Sequence, residues 1–523
     1  MTVSEHRYRH PLLTPGGPDE SAVNHFPTVF SFLEAGARRW PDDIWCRTPT
    51  GDCTRRDAFE AGRRVAAGLI RRGVKPSDRV VVTLPNGLDF VYVWFGLVLA
   101  RAVTVAINPR AVEAELPAVV EDVEPRLVVV SAGEPVTTTT SAVSVADLLS
   151  EEPLGELPGQ EAGEDEAVSF IQSSGSTGRP KFVIQTNRMY TMAAEGFPYW
   201  LNLSDDDVLL TTLPLSHINA QIYSLQGSYG VGAQLVLLPR FSASTFWRDV
   251  VQYGATQFNA IGAMLEALMN RPTSEEEQNN SVRICYSGPA PTMERHREIE
   301  DRFGLRLVIG YALSESPYGL VVPVDRPNVY ESMGVARQHP TLGEVNEARV
   351  VDGEGNLVEG GVVGELELRN PAISPGYFGN PDETKQMVRD GWLRTGDLAV
   401  TRPDGYLAFA GRTKEIIRRR GENVSPVEVE LVLDAHPAVV SSAVVGVPSD
   451  MTDEDIKAFV LCRTGEKPLA QELADWCAER LPPYKRPRYV EYVEAWPLTE
   501  TQKIAKKLLP RDRTDNEVDL EGQ

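Results

Sequence analysis

Residues 167–186 read AVSFIQSSGSTGRPKFVIQT. Two runs of strand character, Ala167 to Gln172 and Phe182 to Thr186, flank a loop that holds Ser173, Ser174, Gly175, Ser176, Thr177, Gly178 and Lys181. Glycines open backbone angles closed to other residues, hydroxyls and amides can turn toward an anion, and the lysine adds charge. The loop therefore reads as an anion cradle, with a plain polar turn as the competing reading of this stretch alone. A Walker loop is excluded, because Ser or Thr and then a helix should follow its lysine, whereas Phe182 and a strand follow Lys181.

Outward from this loop the chain alternates helix and strand. Asp57 to Arg72 and Leu88 to Arg101 have helical spacing, and Arg79 to Thr83, Val103 to Ile107 and Leu127 to Val130 are strand-like. The alternation predicts an α/β fold: a large N-terminal domain with parallel sheets flanked by helices. Residues 132–166 read as a surface connection with a short helix near Val145 to Glu151. Between 345 and 411 the texture changes to short strands broken by Asp352-Gly353, Glu359-Gly360-Gly361 and Asp404-Gly405, which predicts a β-rich subdomain over about 330–411. The last hundred residues alternate again, as a small α+β C-terminal domain. The expected division is a flexible tail over 1–25, the large domain over 26–413, the small domain over 414–510 and a second flexible tail over 511–523.

The chain has 523 residues, 42% of them hydrophobic, and a formal net charge of -22, which argues against nucleic acid as a partner and says little about a small nucleotide. Cys46, Cys53, Cys285, Cys462 and Cys477 are odd in number and lack paired C-x2-C spacing, so neither a zinc site nor a disulfide framework is expected. Such thiols suit a reducing, cytoplasmic setting. The N-terminus shows no apolar signal core. Arg101 interrupts the most membrane-like run, Phe90 to Ile107, which reads as a buried helix and then a strand, not as a membrane span.

Five further pieces have a bland reading each when taken alone. Gly310-Tyr311-Ala312-Leu313-Ser314-Glu315 follows the strand Leu305 to Ile309 and offers an aromatic face, a hydroxyl and a carboxylate, or merely a solvated glutamate beside a half-buried tyrosine. Asp397 of Thr395-Gly396-Asp397 could only cap local amides. The basic run from Arg412 to Arg420 is by default a solvated face. Lys503 alone is a surface lysine, and His217, among apolar neighbours, a structural histidine.

Their order and spacing resemble the adenylate-forming superfamily of acyl-CoA synthetases, adenylation domains and luciferases. The likeness runs from VKPSDR at 74–79 to Lys503. LPLSHINAQ at 213–221 and RRRGENVSPVEVE at 418–430 are most similar to the carnitine/crotonobetaine-type and aromatic acyl-CoA ligases. The resemblance implies an enzyme that joins a carboxylic acid to coenzyme A through an acyl-AMP, using ATP and Mg2+, with small molecules as partners and a homodimer left open. It implies that the 173–181 loop wraps the ATP phosphates. Tyr311 would stack on adenine beside Ser287, Gly288, Pro289 and Ala290, with Gly310 and Ala312 adjacent. Ser314 would contact the α-phosphate, Glu315 would hold magnesium, and Asp397 with Arg412 would hold the ribose. Lys503 would bridge the attacking carboxylate and the α-phosphate. The small domain would be mobile about a hinge at Lys414. Gly421, Glu422 and Asn423 would then line the pantetheine tunnel, and Tyr484, Lys485 and Arg486 would hold the coenzyme A nucleotide. His217 would close the acyl pocket, lined by Ala260, Ile261, Gly262, Gly310, Ala312 and Ser316, whose small side chains imply a bulky, mostly apolar acid.

Three departures stand out. Phe182 occupies a position where most relatives place glycine, the loop hydroxyls are mostly serine where threonine is usual, and Gln502 replaces the glycine usual before the catalytic lysine. A ring at 182 is expected to crowd the pyrophosphate end of ATP, which keeps open an enzyme that accepts a preformed acyl-AMP and performs only the coenzyme A step. A stand-alone enzyme loading a carrier protein is the other reading, although PLSHINAQI lacks the aspartate that amino-acid-specific versions use. A binding or regulatory protein on a decayed scaffold is disfavoured by Glu315, Asp397, Arg412 and Lys503.

Overall fold

The computed structural model describes residues 8–15, 23–109, 111–133, 138–173, 181–420, 422–449, 453–463, 465–497 and 504–521. Valine-rich segments form the first sheet, in the order 142–144, 127–130, 79–82, 103–106, 167–173, 181–186. Its strands run parallel except for the last pair, which is antiparallel. Near-continuous apolar runs are what a sheet covered on both faces requires. Two helices, Arg55–Arg71 and Leu88–Leu99, cross at close range because glycines stand at the contact: a Cβ on Gly62 would lie 2.7 Å from the Phe95 Cβ, and one on Gly96 would collide with Val65.

The second sheet has nine strands, in the order 335–336, 316–321, 306–313, 284–287, 257–259, 208–211, 234–237, 44–48, 51–54. The six strands from 306–313 to 44–48 are parallel to one another. The carboxyl ends of 257–259, 284–287 and 306–313 open on one edge, where loops can gather around a ligand. A five-stranded antiparallel sheet over 347–412 forms the expected β-rich part. The C-terminal part has a hairpin, Ile417–Arg419 with Glu422–Val424, and a four-stranded sheet in the order 439–448, 454–462, 489–493, 517–519. Among the described residues no helix is long and apolar enough to cross a membrane.

Both expected tails contain ordered structure. His10, Leu12 and Leu13 are buried against the large core. Glu517–Asp519 adds a strand to Tyr489–Val493, with Glu517 2.7 Å from the buried Lys457 ammonium and Asp519 3.3 Å from Arg488. A polar composition suggested fraying, but tertiary ion pairs supply the anchor.

The N-terminal segment is fastened by a buried carboxylate. Glu195 accepts from His25 Nδ1 at 2.8 Å and His339 Nε2 at 2.7 Å through one oxygen, and from the Phe26 N–H at 2.9 Å through the other. These side chains are a metal-ligand trio in composition. The N–H groups of Thr341 and Leu342, however, donate to His339 Nδ1 at 3.3 and 3.1 Å, which puts the ring proton on Nε2 and makes that nitrogen a donor to Glu195. The trio is a hydrogen-bonded clasp.

Beside it His10 is only 2% exposed, and neither ring nitrogen has a hydrogen-bond partner among the described residues. Burial pushes its pKa down to about 4, against the pull of Glu195 and with the help of His339. The unfolded histidine, with its ordinary value of 6.5, therefore binds more protons between those two values. Its contribution is complete above pH 6.5 and is lost as pH falls toward 4. About 2 kcal/mol should disappear between pH 7 and 5. Urea midpoints measured at the two pH values should show this drop, and His10→Phe should flatten it.

Candidate active site

The GYALSE stretch is a hairpin and not a loop. The strand extends over Arg306–Leu313, Ser314 and Glu315 make the turn, and Ser316–Val321 returns. Tyr311 lies on the outgoing strand. Asp397 and Arg412 are register partners on the antiparallel strands Trp392–Thr401 and Leu407–Arg412. The Tyr311 hydroxyl donates to Asp397 Oδ2 at 2.6 Å, and Arg412 Nε donates to Asp397 Oδ1 at 3.1 Å. Gly396 makes the bend before Asp397 with φ +70, in the left-handed region that favours glycine. Asp397 is 4% exposed, while half of the Arg412 side chain reaches solvent. Burial, and then the Asp397 carboxylate, push the Tyr311 phenol well above its ordinary range, so it stays a donor. An aromatic ring, a carboxylate and a guanidinium side by side suit a planar heterocycle that carries vicinal hydroxyls.

A second group forms around Glu315. Tyr377 donates its hydroxyl to Glu315 Oε1 at 2.8 Å. Lys181 pairs with the Glu383 carboxylate and lies 5.1 Å over the Tyr377 ring. Burial lowers the Lys181 pKa, the nearby Lys414 cation lowers it further, and Glu315 opposes both. The turn itself is pinned by Gln185 Nε2, which donates to the Ser314 carbonyl at 2.5 Å, and by the Ser374 N–H, which donates to the Glu315 carbonyl at 2.8 Å. Lys181, Ser314, Glu315 and Lys414 thus come together from distant segments. Tyr377, Glu383, Gln185 and Ser374 were not anticipated. Three of them lie in SPGYFGNPDET at 374–384, whose glycines and prolines signal only a turn.

Phe182 does not crowd this group. Successive residues of a strand point to opposite faces. With Lys181 turned to the site, Phe182 turns inward, 4% exposed, into a cluster with Val81, Val105, Val130 and Phe170. Ser173 and Lys181 are register partners at the mouth of the loop. Ser174, Gly175, Ser176, Thr177, Gly178, Gly421 and Lys503 lie outside the described residues.

Near the carboxyl edge of the large sheet, Ser287 pairs in register with Ile309, and a Cβ on Gly288 would lie 2.5 Å from the Gly310 carbonyl oxygen. Pro289 is exposed and Ala290 half-buried beside them. A Cβ on Gly310 would collide with the Tyr286 ring, so this glycine makes room for Tyr286 and not for a ligand. Ser316 is fully buried, takes a hydrogen bond from Asn370 Nδ2 at 3.2 Å and stands behind the wall; Ala260 is buried as well. Ile261, Gly262, Ala312 and His217 remain partly exposed, and a side chain at Gly262 would meet open space. The His217 segment is held by Asn86, which donates to the Leu213 carbonyl at 2.9 Å and accepts from the Leu215 N–H at 2.9 Å. A π-helical stretch, Asn219–Gln226, follows, and Asn259 Nδ2 donates to Asn219 Oδ1 at 2.7 Å.

Glu422 and Asn423 are exposed on their hairpin. Lys485 is paired with Glu428 at 2.7 Å, next to Tyr484. Arg486 donates through Nε and Nη2 to the carbonyls of Leu481 and Ala478, each at 3.0 Å, which anchors its guanidinium at the end of the helix Ala470–Arg480.

Comparison with known proteins gives a consistent picture. Residues 33–378 match the model of the AMP-binding enzymes, and residues 428–503 match that of the AMP-binding enzyme C-terminal domain. A crotonobetaine/carnitine–CoA ligase of Proteus mirabilis is 31% identical, over 84% of this chain and 89% of its own. Among solved structures, an anthranilate CoA ligase in complex with anthranoyl-AMP superposes with TM-score 0.83 at 25% identity, over 92% of this chain and 96% of its own. A benzoate CoA ligase from Burkholderia xenovorans superposes with TM-score 0.84 at 24% identity, over 93% and 100%.

The burial of Phe182 sets a clear expectation. Phe182→Ala should lower stability by about 3–5 kcal/mol, as emptied aromatic core positions do. Phe182→Gly should cost more, through added backbone freedom. Urea midpoints would register both, and neither change should raise ATP-dependent turnover.

Proposed function

The chain belongs to the AMP-binding enzyme family, and on that premise we propose that it is an acyl-CoA synthetase, which activates a carboxylic acid with ATP and passes the acyl group to coenzyme A. The observation that carries this reading is the junction of Tyr311, Asp397 and Arg412 at hydrogen-bonding distance, although Tyr311 and Asp397 are 86 residues apart.

In this reading Tyr311 stacks on adenine beside Ser287–Ala290, and Asp397 accepts from the ribose hydroxyls with Arg412 alongside. Lys181 turns from Glu383 to the β- and γ-phosphates at the mouth of the 173–181 loop. Glu315 would hold magnesium: it is a hard oxygen donor fixed by Tyr377 and backed by a pinned turn, the kind of ligand that ion takes. When bound, the ion offsets phosphate charge. A carboxylate approaching an anionic phosphate needs that repulsion cancelled and the approach held in line. Lys503 supplies the remaining charge between the two reactants, and Ser314 contacts the α-phosphate. Attack of the acid oxygen on the α-phosphorus expels pyrophosphate. The mixed anhydride then reacts with the coenzyme A thiolate, and AMP leaves.

For the second step the C-terminal part turns about Lys414, bringing residues 421–423 to the adenylate. The acid is bulky, a reading supported by the open space at Gly262 and the exposed faces of Ile261 and Ala312, with His217 at the wall. Asn219 adds an amide at the head of the π-helix that follows His217. The inward turn of Phe182 supports a complete enzyme over one confined to preformed acyl-AMP. A cytoplasmic setting belongs to the same proposal, supported by five cysteines that are all free thiols.

The test is acid-dependent exchange of pyrophosphate into ATP over a panel of bulky, aromatic and fatty acids, followed by mass detection of the thioester. Lys503→Ala should slow adenylate formation by about 10²–10³-fold, yet retain thioester formation from supplied acyl-AMP. Equal loss of both half-reactions would count against the reading. Asp397→Asn should lower kcat/KM for ATP by roughly 10–100-fold, the worth of a charge-assisted hydrogen bond.

A further inference from the structure

Coenzyme A carries a diphosphate and a 3′-phosphate, and two of the cations expected to meet them are already engaged: Arg486 by helix carbonyls and Lys485 by Glu428. We propose, building on the acyl-CoA synthetase reading, that Arg420 is a coenzyme A phosphate contact and that Glu521 of the C-terminal strap is the built-in competitor that occupies it.

Three observations carry this. Arg420 directly follows the strand Ile417–Arg419, next to Glu422 and Asn423, and its φ of +52 is what a two-residue hairpin turn asks of its first residue. Its side chain is 57% exposed, yet its Nη2 lies 3.1 and 3.4 Å from the two Glu521 oxygens, so a carboxylate already sits where an anion would. The adjacent Arg419 is fully buried. It ties the hairpin to Asp455 at 3.1 Å, to the Arg486 carbonyl at 2.6 Å and to Glu521 at 2.8 Å, so the hairpin, the Tyr484–Arg486 segment and the strap meet at one residue.

The strap is built to deliver Glu521 there. Strand Glu517–Asp519 pairs with Tyr489–Glu491, and Glu517 meets the buried Lys457. The Leu520 N–H donates to the Arg488 carbonyl at 2.8 Å, and Glu521 follows at the hairpin turn. The matched C-terminal family segment ends at 503, so this strap lies beyond it. An exposed ion pair contributes little and is screened by salt. A phosphate, with more charge and more acceptor oxygens than a carboxylate, can therefore displace Glu521 from Arg420 while Arg419 keeps the strap in place.

The experiment uses the full chain with saturating ATP and acid. It compares KM for coenzyme A with KM for pantetheine, which has no phosphate, and adds calorimetric coenzyme A binding. Arg420→Gln should raise KM and Kd for coenzyme A about tenfold, with little change for pantetheine, and Arg420→Lys should recover part of the loss. Glu521→Gln should lower KM for coenzyme A about threefold, most clearly at low salt. An equal rise for pantetheine, a shift in KM for ATP instead, or a higher KM for coenzyme A in Glu521→Gln would each overturn the assignment. Wild-type protein that binds coenzyme A but makes no thioester would sink the synthetase reading, whereas equal Kd values for wild type and Arg420→Gln would sink this assignment alone.

Discussion

A buried carboxylate must be given donors, and the way Asp397 is given them organises the rest of the site. Its two oxygens are divided between a phenol from the large parallel sheet and a guanidinium from its own antiparallel sheet. That division welds the β-rich part to the α/β part at one point. Losing either partner would leave charge stranded in a poorly solvated place. The same logic recurs at Glu195, which gathers three donors from an N-terminal segment and a distant turn. In both places a single anion does more for the arrangement of the chain than its share of buried area would suggest.

What was legible in the sequence follows from what each segment needs. The strands 79–82, 103–106 and 127–130 announce themselves because a sheet covered on both faces wants uninterrupted valine. Tyr311, Asp397 and Arg412 were legible only as members of a family pattern, since each has an ordinary surface role when taken alone. Tyr377 and Glu383 were not legible, because they enter through a loop that bridges back to Val183, and nothing local encodes that return. Phe182 was misread because it was placed at the head of a strand without the alternation that turns it inward once Lys181 faces the site. The strap was misread because its charges looked solvated, and their partners lie in other segments, at Lys457, Arg488 and Arg419.

The charge balance is instructive as well. A chain with formal charge -22 nevertheless gathers Lys181 and Lys414 close enough for each to be felt by the other, and carries Arg418, Arg419 and Arg420 in succession. Acidic partners such as Glu383, Glu428 and Glu521 lie against the basic groups. On the function proposed above, a multiply charged ligand would exchange with these carboxylates and would not meet bare cations.

The strand that ends in Arg412 runs straight into the short helical turn Thr413–Glu415. Lys414, the hinge of the function proposed above, thus stands two residues beyond a side chain that grips Asp397. In that function, a turn of the C-terminal part about Lys414 would pull on the same stretch of chain that carries Arg412 to Asp397.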